Sequence, residues 1–287
     1  MSTRIATRAR MVAPVEQEAE LSLSGSRSGR SARRTAYGAL GLVLALGLWE
    51  LASYVKSDPV ILPTVQETAR TFLRYLTTRY PAATGATLWQ HALVSVARIG
   101  AGWSVGVLLG IAIGGLMASV RPVRHVIDPL IEITRPLPPL AFIPLFIVWF
   151  GIGETSKFLL ILVGVVPIMI IATVTALDAV PEELVQAGRS LGASSLWALV
   201  TVRLRSALPQ IVTGMRLAMG GAWTSIVAVE LIAATSGLGY LINNAGVNLQ
   251  TPLVLSGIVT ISILGIVFDS LLRLLHSRLD PTHRRSS

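Results

Sequence analysis

Six apolar runs, each long enough at about 20 residues to cross a hydrocarbon core, constrain this chain more than any other feature. They lie near Ala36–Tyr54, Leu93–Val120, Val126–Phe150, Phe158–Leu177, Ile211–Ala234 and Leu253–Leu275. In lipid every backbone N–H and C=O must find an internal partner, so segments of this length are expected to be helical. The expected fold class is all-α, a polytopic membrane protein with six transmembrane helices. Composition agrees: 52% of the 287 residues are hydrophobic and only 14% are charged, and mean hydropathy is +0.67. Two soluble domains of this combined length would carry more charge.

Orientation follows from the basic residues. With the N-terminus inside, sixteen Lys and Arg fall on cytoplasmic segments and five on external ones, namely Lys56, Arg70, Arg74, Arg79 and Lys157. Both termini are therefore expected in the cytoplasm. Residues 1–35, rich in Ser, Arg, Ala and Gly, read as a disordered basic tail too polar for a signal peptide. Residues 36–279 form one membrane domain, and 280–287 a second cytoplasmic tail. The net charge of +9 raises the question of nucleic acid, but the arginines sit at span ends and in the tail, without interleaved aromatics. Anionic lipid headgroups are the expected partner of the tail, and nucleic acid is not. No cysteine is present, which removes disulfides, thiolate nucleophiles and Cys-ligated metals.

Several motifs bear on whether the chain carries out chemistry. Gly102-Trp103-Ser104-Val105-Gly106 matches the G-x-S-x-G pattern of hydrolases, which needs a strand, a sharp turn and a helix. Here the glycines continue at 102, 106, 110 and 114, one face of a helix, as close helix packing requires. A phosphate loop needs glycine before its lysine, yet Lys56 and Lys157 follow Val55 and Ser156. The chain is thus expected to hydrolyse no ATP itself. His91, His125, His276 and His283 lack metal-ligand spacing with carboxylates, so no metal and no cofactor is expected. Between the first two spans, Thr64-Val65-Gln66-Glu67 has capping-box spacing, and Val65, Ala69, Phe72, Leu73 and Leu76 predict an external amphipathic helix.

Prolines at 136, 138, 139 and 144 should break the third span and leave carbonyls that must be buried or line a polar gap. Asp128, Glu132 and Arg135 precede the break, where Glu132 and Arg135 share a face and read either as an orienting ion pair or as part of a path. Arg98, Glu230 and Asp269 are further ionisable groups in or beside apolar spans, which usually face the protein interior or an aqueous route. Pro138, Pro139 and Glu230 are the candidates for shaping a translocation path. The polar insert at Val180–Ile211, holding the small-residue run Gln186, Ala187, Gly188, Arg189, Ser190, Leu191, Gly192 and then Ala193, reads either as a docking surface or as an ordinary cytoplasmic loop with an amphipathic helix.

Several strings occurring in order resemble the membrane subunit of bacterial ABC importers of the nitrate, sulfonate and taurine family. They are Arg135-Pro136-Leu137-Pro138-Pro139-Leu140-Ala141, Trp149-Phe150-Gly151-Ile152-Gly153-Glu154, Ser190-Leu191-Gly192-Ala193-Ser194 and Glu230-Leu231-Ile232-Ala233-Ala234-Thr235-Ser236-Gly237-Leu238-Gly239-Tyr240. The resemblance covers Leu62 to Leu279 and is closest to the taurine branch. It implies a type I importer permease, MetI-like in fold, acting as a homodimer with cytoplasmic ATP-binding subunits and an extracytoplasmic substrate-binding protein. It implies location in the bacterial cytoplasmic (inner) membrane and a coupling loop over 180–210, patterned E-A-A-x-x-x-G in the family. Here Gln186 takes the glutamate position, Gly188 replaces the second alanine and Gly192 matches, while Arg205 replaces a later proline. The implied solute is taurine or another small sulfonate, with nitrate, bicarbonate or a pyrimidine precursor as alternatives. An ion-coupled secondary transporter is the rival class, but coupling-ion ligands and inverted repeats are not evident.

Overall fold

The computed structural model describes residues 36–56, 58–81, 85–194 and 197–279, and the two tails read at 1–35 and 280–287 lie outside it. Two compact units divide at Gln66–Glu67. The first holds α1 (Ala36–Lys56). Side chains such as Leu42, Leu48 and Leu51 stand exposed, as suits a helix immersed in hydrocarbon. The turn after α1 is fastened to it by side chains: Trp49 Nε1 donates to Pro63 O at 3.0 Å, Ser53 Oγ to Leu62 O at 2.8 Å, and the Val65 amide to Glu50 Oε2 at 2.9 Å.

The second unit is built on α2 (Val65–Thr77), α3 (Leu88–Ser119), α4 (Arg121–Thr134), a 3₁₀ turn at Pro139–Phe142, α5 (Ile143–Phe150), α6 (Glu154–Asp178) and α7 (Glu182–Ser190). A π-helical stretch, Ala198–Leu204, then leads without interruption into α8 (Arg205–Ala233), followed by α9 (Leu238–Val247) and α10 (Thr251–Leu279). The external helix is present at α2, turning Phe72, Tyr75 and Leu76 onto Leu88, Leu238 and Leu241, whereas Leu73, expected on that face, is 65% exposed.

Helices α3, α6 and α8 form the centre. Gly102, Gly106, Gly110 and Gly114 meet Ile161, Val165, Met169 and Thr173 in register, both sets spaced by four. A Cβ at Gly102 would stand 2.7 Å from Ile161 Cγ2, one at Gly106 2.7 Å from Val165 Cγ1, and one at Gly114 2.8 Å from Thr173 Cβ. The glycines thus let two backbones approach where any side chain would hold them apart. Gly221 does the same between α8 and α6, its missing Cβ lying 2.6 Å from Gly164 O. Around these contacts Ile99, Leu160, Ile161, Met169, Ile211, Ala222 and Ile226 are buried. Ser104 stands exposed on the opposite side of α3, so G-x-S-x-G here marks a packing face and not a nucleophile elbow.

The third span is broken at the prolines, as the sequence leads one to expect: α4 meets the Pro139–Phe150 segment at 90°, so five helices, or six counting the bent pair, are long and apolar enough to cross a membrane among the described residues. Proline removes the ladder donor and disfavours helical backbone in the preceding residue, and Arg135-Pro136-Leu137-Pro138-Pro139 repeats both effects. The fifth span begins at Ala198, not Ile211, because hydropathy finds the apolar slab while the helix continues through Arg203, Arg205 and Gln210. A short helix, α9, lies between the fifth and sixth spans.

Candidate functional site

Three features carry the functional residues, and the first is α7. Glu182 and Glu183 occupy its first turn and Arg189 its last, each charge complementing the end of the helix dipole near it. Val185 and Gly188 are buried, and a Cβ at Gly188 would stand 3.2 Å from Val202 Cγ2, so α7 rests on the π-helical stretch. Gln186, Ala187, Arg189 and Ser190 face outward. The helix stops at Gly192, with φ of +88°. There the Ala193 amide donates to Gly188 O at 3.2 Å and the Gly192 amide to Arg189 O at 2.9 Å, the paired bonds of a Schellman end. Leu191, 91% exposed, and Trp197, 52% exposed, flank a shallow depression floored by Gly192, Ala193 and Ser194. Large apolar groups left bare beside a polar helix are the usual mark of a surface that another protein covers.

The second feature is a cavity of about 450 Å³ between the broken third span, α6 and α8. Pro139 and Leu137 form one wall, Gly164 and Pro167 a second, and Gly214 and Leu217 a third. It extends along α6 from Val163 to Thr175, roughly 18 Å at the helical rise. Pro138 is exposed beside this opening without lining it. Arg135 and Thr134 close one end together with Thr175 and Gln210.

Glu230 stands elsewhere, in a buried polar cluster that anchors the segment between α8 and α9. Its side chain is 0% exposed. The carboxylate accepts from Arg98 Nη1 at 2.7 Å, from Ser95 Oγ at 2.8 and 3.0 Å, and from the Gly239 amide at 3.0 Å. Ser95 Oγ in turn accepts from the Leu238 amide at 2.9 Å, and His91 Nδ1 from the Gly237 amide at 3.1 Å, which leaves the His91 proton on Nε2. Arg98 also reaches Ser236 O at 2.7 Å and grips Glu154 through Nε and Nη2, both at 2.7 Å, while Lys157 Nζ meets Glu154 Oε1 at 2.8 Å. The largely buried Arg98, Lys157 and Glu230 are thus balanced with the help of Glu154, whose side chain is 65% exposed. Gly237 has φ of +117°, and a Cβ there would strike the Glu230 carboxyl.

Of the residues expected to shape a path, Pro139 lines the cavity, Pro138 borders it, and Glu230 lies apart from it, anchoring the Ser236–Tyr240 segment. Arg98 and Glu230 were legible as ionisable groups in apolar spans, but their pairing across 132 residues was not, nor were Ser95, Glu154, Lys157 and His91 as partners. Asp128 pairs with Arg124 at 3.4 Å, and Arg124 also meets Asp178 at 2.9 Å. The Glu132–Arg135 pair read from the sequence does not form among the described residues. Asp269, the remaining ionisable group in a span, receives Arg216 Nε at 2.7 Å and also pairs with Arg273.

Comparison with known proteins agrees with this architecture. Residues 106–281 match the family described as "Binding-protein-dependent transport system inner membrane component". The chain is 40% identical over 247 residues to the taurine transport system permease protein TauC of Escherichia coli (strain K12), covering 86% of this chain and 88% of TauC. It is 34% identical over 242 residues to SsuC of the same organism, assigned to aliphatic sulfonate transport, covering 83% of this chain and 89% of SsuC. Among solved structures, an inward-facing form of the MetNI methionine ABC transporter superposes with a TM-score of 0.58 at 20% identity, covering 67% of this chain and 94% of the other, and this establishes the MetI-like fold. The ATPase of such systems is a separate subunit, so the role here is transport and not catalysis. The chain belongs to the family of binding-protein-dependent transport system inner membrane components, multi-pass permease subunits that work with ATP-binding and substrate-binding partners.

Proposed function

We propose that this chain is the translocation subunit of an importer for taurine or another small sulfonate, acting as a homodimer with both termini in the cytoplasm. The observation that carries the substrate is the similarity to TauC, which runs through the proline break and the Glu230–Tyr240 segment. In this reading α7, with exposed Gln186, Ala187, Arg189, Ser190 and Leu191, the Gly192 end and Ala193, is the coupling helix that meets the ATP-binding subunit. The bare Leu191 and Trp197 beside it support that contact. The path runs along the cavity that Pro139 lines and Pro138 borders, and Glu230 shapes it indirectly by anchoring the segment between α8 and α9. Anionic lipid is the partner of the basic tail. ATP binding and hydrolysis in the partners select between inward-open and outward-open states.

The test is growth of a strain lacking this permease on low taurine, on other sulfonates and on nitrate as sole sulfur or nitrogen source. Loss of growth on taurine alone is expected. Normal growth on taurine, in a strain without a second uptake system, refutes the substrate.

A further inference from the structure

The cavity along α6 has one charged wall residue. Of its fifteen lining residues among those described, Arg135 alone carries a charge, and Thr134, Thr175, Gln210 and Thr213 supply the polar groups. The hydroxyls of Thr134 and Thr213 bond within their own helices, to Leu130 O at 2.8 Å and Pro209 O at 3.2 Å. The Thr175 and Gln210 side chains make no hydrogen bond among the described residues and are exposed.

Among the described residues, the cations held by carboxylates lie away from this cavity, and the others without an ion pair, such as Arg121, Arg203 and Arg205, do not line it. Arg98, Arg124, Lys157, Arg216 and Arg273 all hold carboxylates. Arg135 makes no ion pair among the described residues and is exposed at the end of α4, its backbone N–H donating to Ile131 O at 2.8 Å. Asp128 and Glu132 share an adjoining recess of about 170 Å³ with it, but Asp128 is taken by Arg124 and Glu132 lies beyond ion-pairing distance. The broken backbone fixes this placement, since Arg135 ends one helix and Pro136 prevents its continuation.

An unpaired guanidinium in a largely apolar pocket attracts an anion, and its planar fork matches two oxygens of a single oxyanion. We propose that Arg135, with the Thr175 hydroxyl and the Gln210 amide, forms a weak binding site for a small oxyanion, of the sulfonate, nitrate or carboxylate type, at one end of the translocation cavity. The site makes the permease itself charge-selective, so solute choice does not rest on the binding protein alone. This rests on the reading that solute passes through the cavity. The large volume suits a transport site, which must release what it binds.

The absence of cysteine makes a direct test simple. Thr213→Cys places one thiol in the cavity wall, in the full chain assembled with its partner subunits in lipid nanodiscs. Its reaction rates with sulfonatoethyl and trimethylammonioethyl methanethiosulfonate are compared, each normalised to a free thiol. The anionic reagent is expected to be favoured by roughly tenfold, Arg135→Gln to abolish that preference and Arg135→Lys to retain most of it. Leu217→Cys, in the same cavity wall, is the second probe position should Thr213→Cys not assemble. An unchanged preference in Arg135→Gln overturns the site, and so does a thiol that neither reagent reaches. A wild-type complex that imports no taurine into proteoliposomes, with the Arg135-dependent preference still present in Thr213→Cys, refutes the substrate and leaves the oxyanion site standing.

Discussion

Replacing Glu230 by glutamine leaves the shape of the buried cluster intact and removes one charge. The carboxylate accepts on both oxygens, from Arg98 and Ser95 on one and from Gly239 and Ser95 on the other. An amide has one acceptor oxygen, so in either orientation its NH₂ confronts a donor, the Arg98 guanidinium or the Gly239 amide. A buried donor left unmade costs about 1–3 kcal/mol. Breaking a buried ion pair costs about 3–5 kcal/mol, but Arg98 keeps its two-pronged contact with Glu154, so the lower end applies. A loss of about 3 kcal/mol in local stability corresponds to roughly a hundredfold change in the opening equilibrium. The cluster binds the Leu238 and Gly239 amides directly, and their hydrogen exchange is the natural assay. In purified Glu230→Gln permease both amides should exchange roughly a hundredfold faster, while those of α3 and α6 keep wild-type protection. Exchange of Leu238 and Gly239 within about threefold of wild type would show that the carboxylate does not anchor this segment.

Neighbouring glycines on α3 give a sharper steric contrast. Gly114→Leu drives a side chain into Thr173 and should cost about 1–3 kcal/mol or more, whereas Gly115, with nothing within 4 Å of an added Cβ, should accept Leu without loss; thermal unfolding followed by gel filtration separates the two. At Gly192 the left-handed backbone makes even alanine cost about 1–2 kcal/mol, so Gly192→Ala and, more severely, Gly192→Asp should uncouple ATP hydrolysis from uptake in reconstituted complex, while Gln186→Ala leaves both near wild type. Normal transport and retained ATPase in Gly192→Asp would refute the docking role of α7. Ser104→Ala should leave uptake unchanged, because the hydroxyl is exposed on the side of α3 away from the packing face; complete loss of activity in a normally inserted protein would revive the hydrolase reading.

Hydropathy and residue spacing determined the class of fold, the apolar spans, the glycine face of α3 and the break at the prolines. Each depends on local covalent chemistry: side-chain transfer to lipid, the missing Cβ of glycine and the missing N–H of proline all act within a few residues. The small residues of the run from Gln186 to Ala193 were legible for the same reason, whereas the helix end at Gly192 was seen only in the structure. Tertiary structure alone decided which distant groups meet. Arg98 chose Glu230 and Glu154 as partners, Arg124 reached Asp178, and Arg135 was left unpaired against the cavity. A charge in an apolar span must be compensated, which the sequence shows, but the identity of the compensating group depends on how helices 50 to 130 residues apart pack, and that is set by the glycine contacts of α3, α6 and α8 acting together.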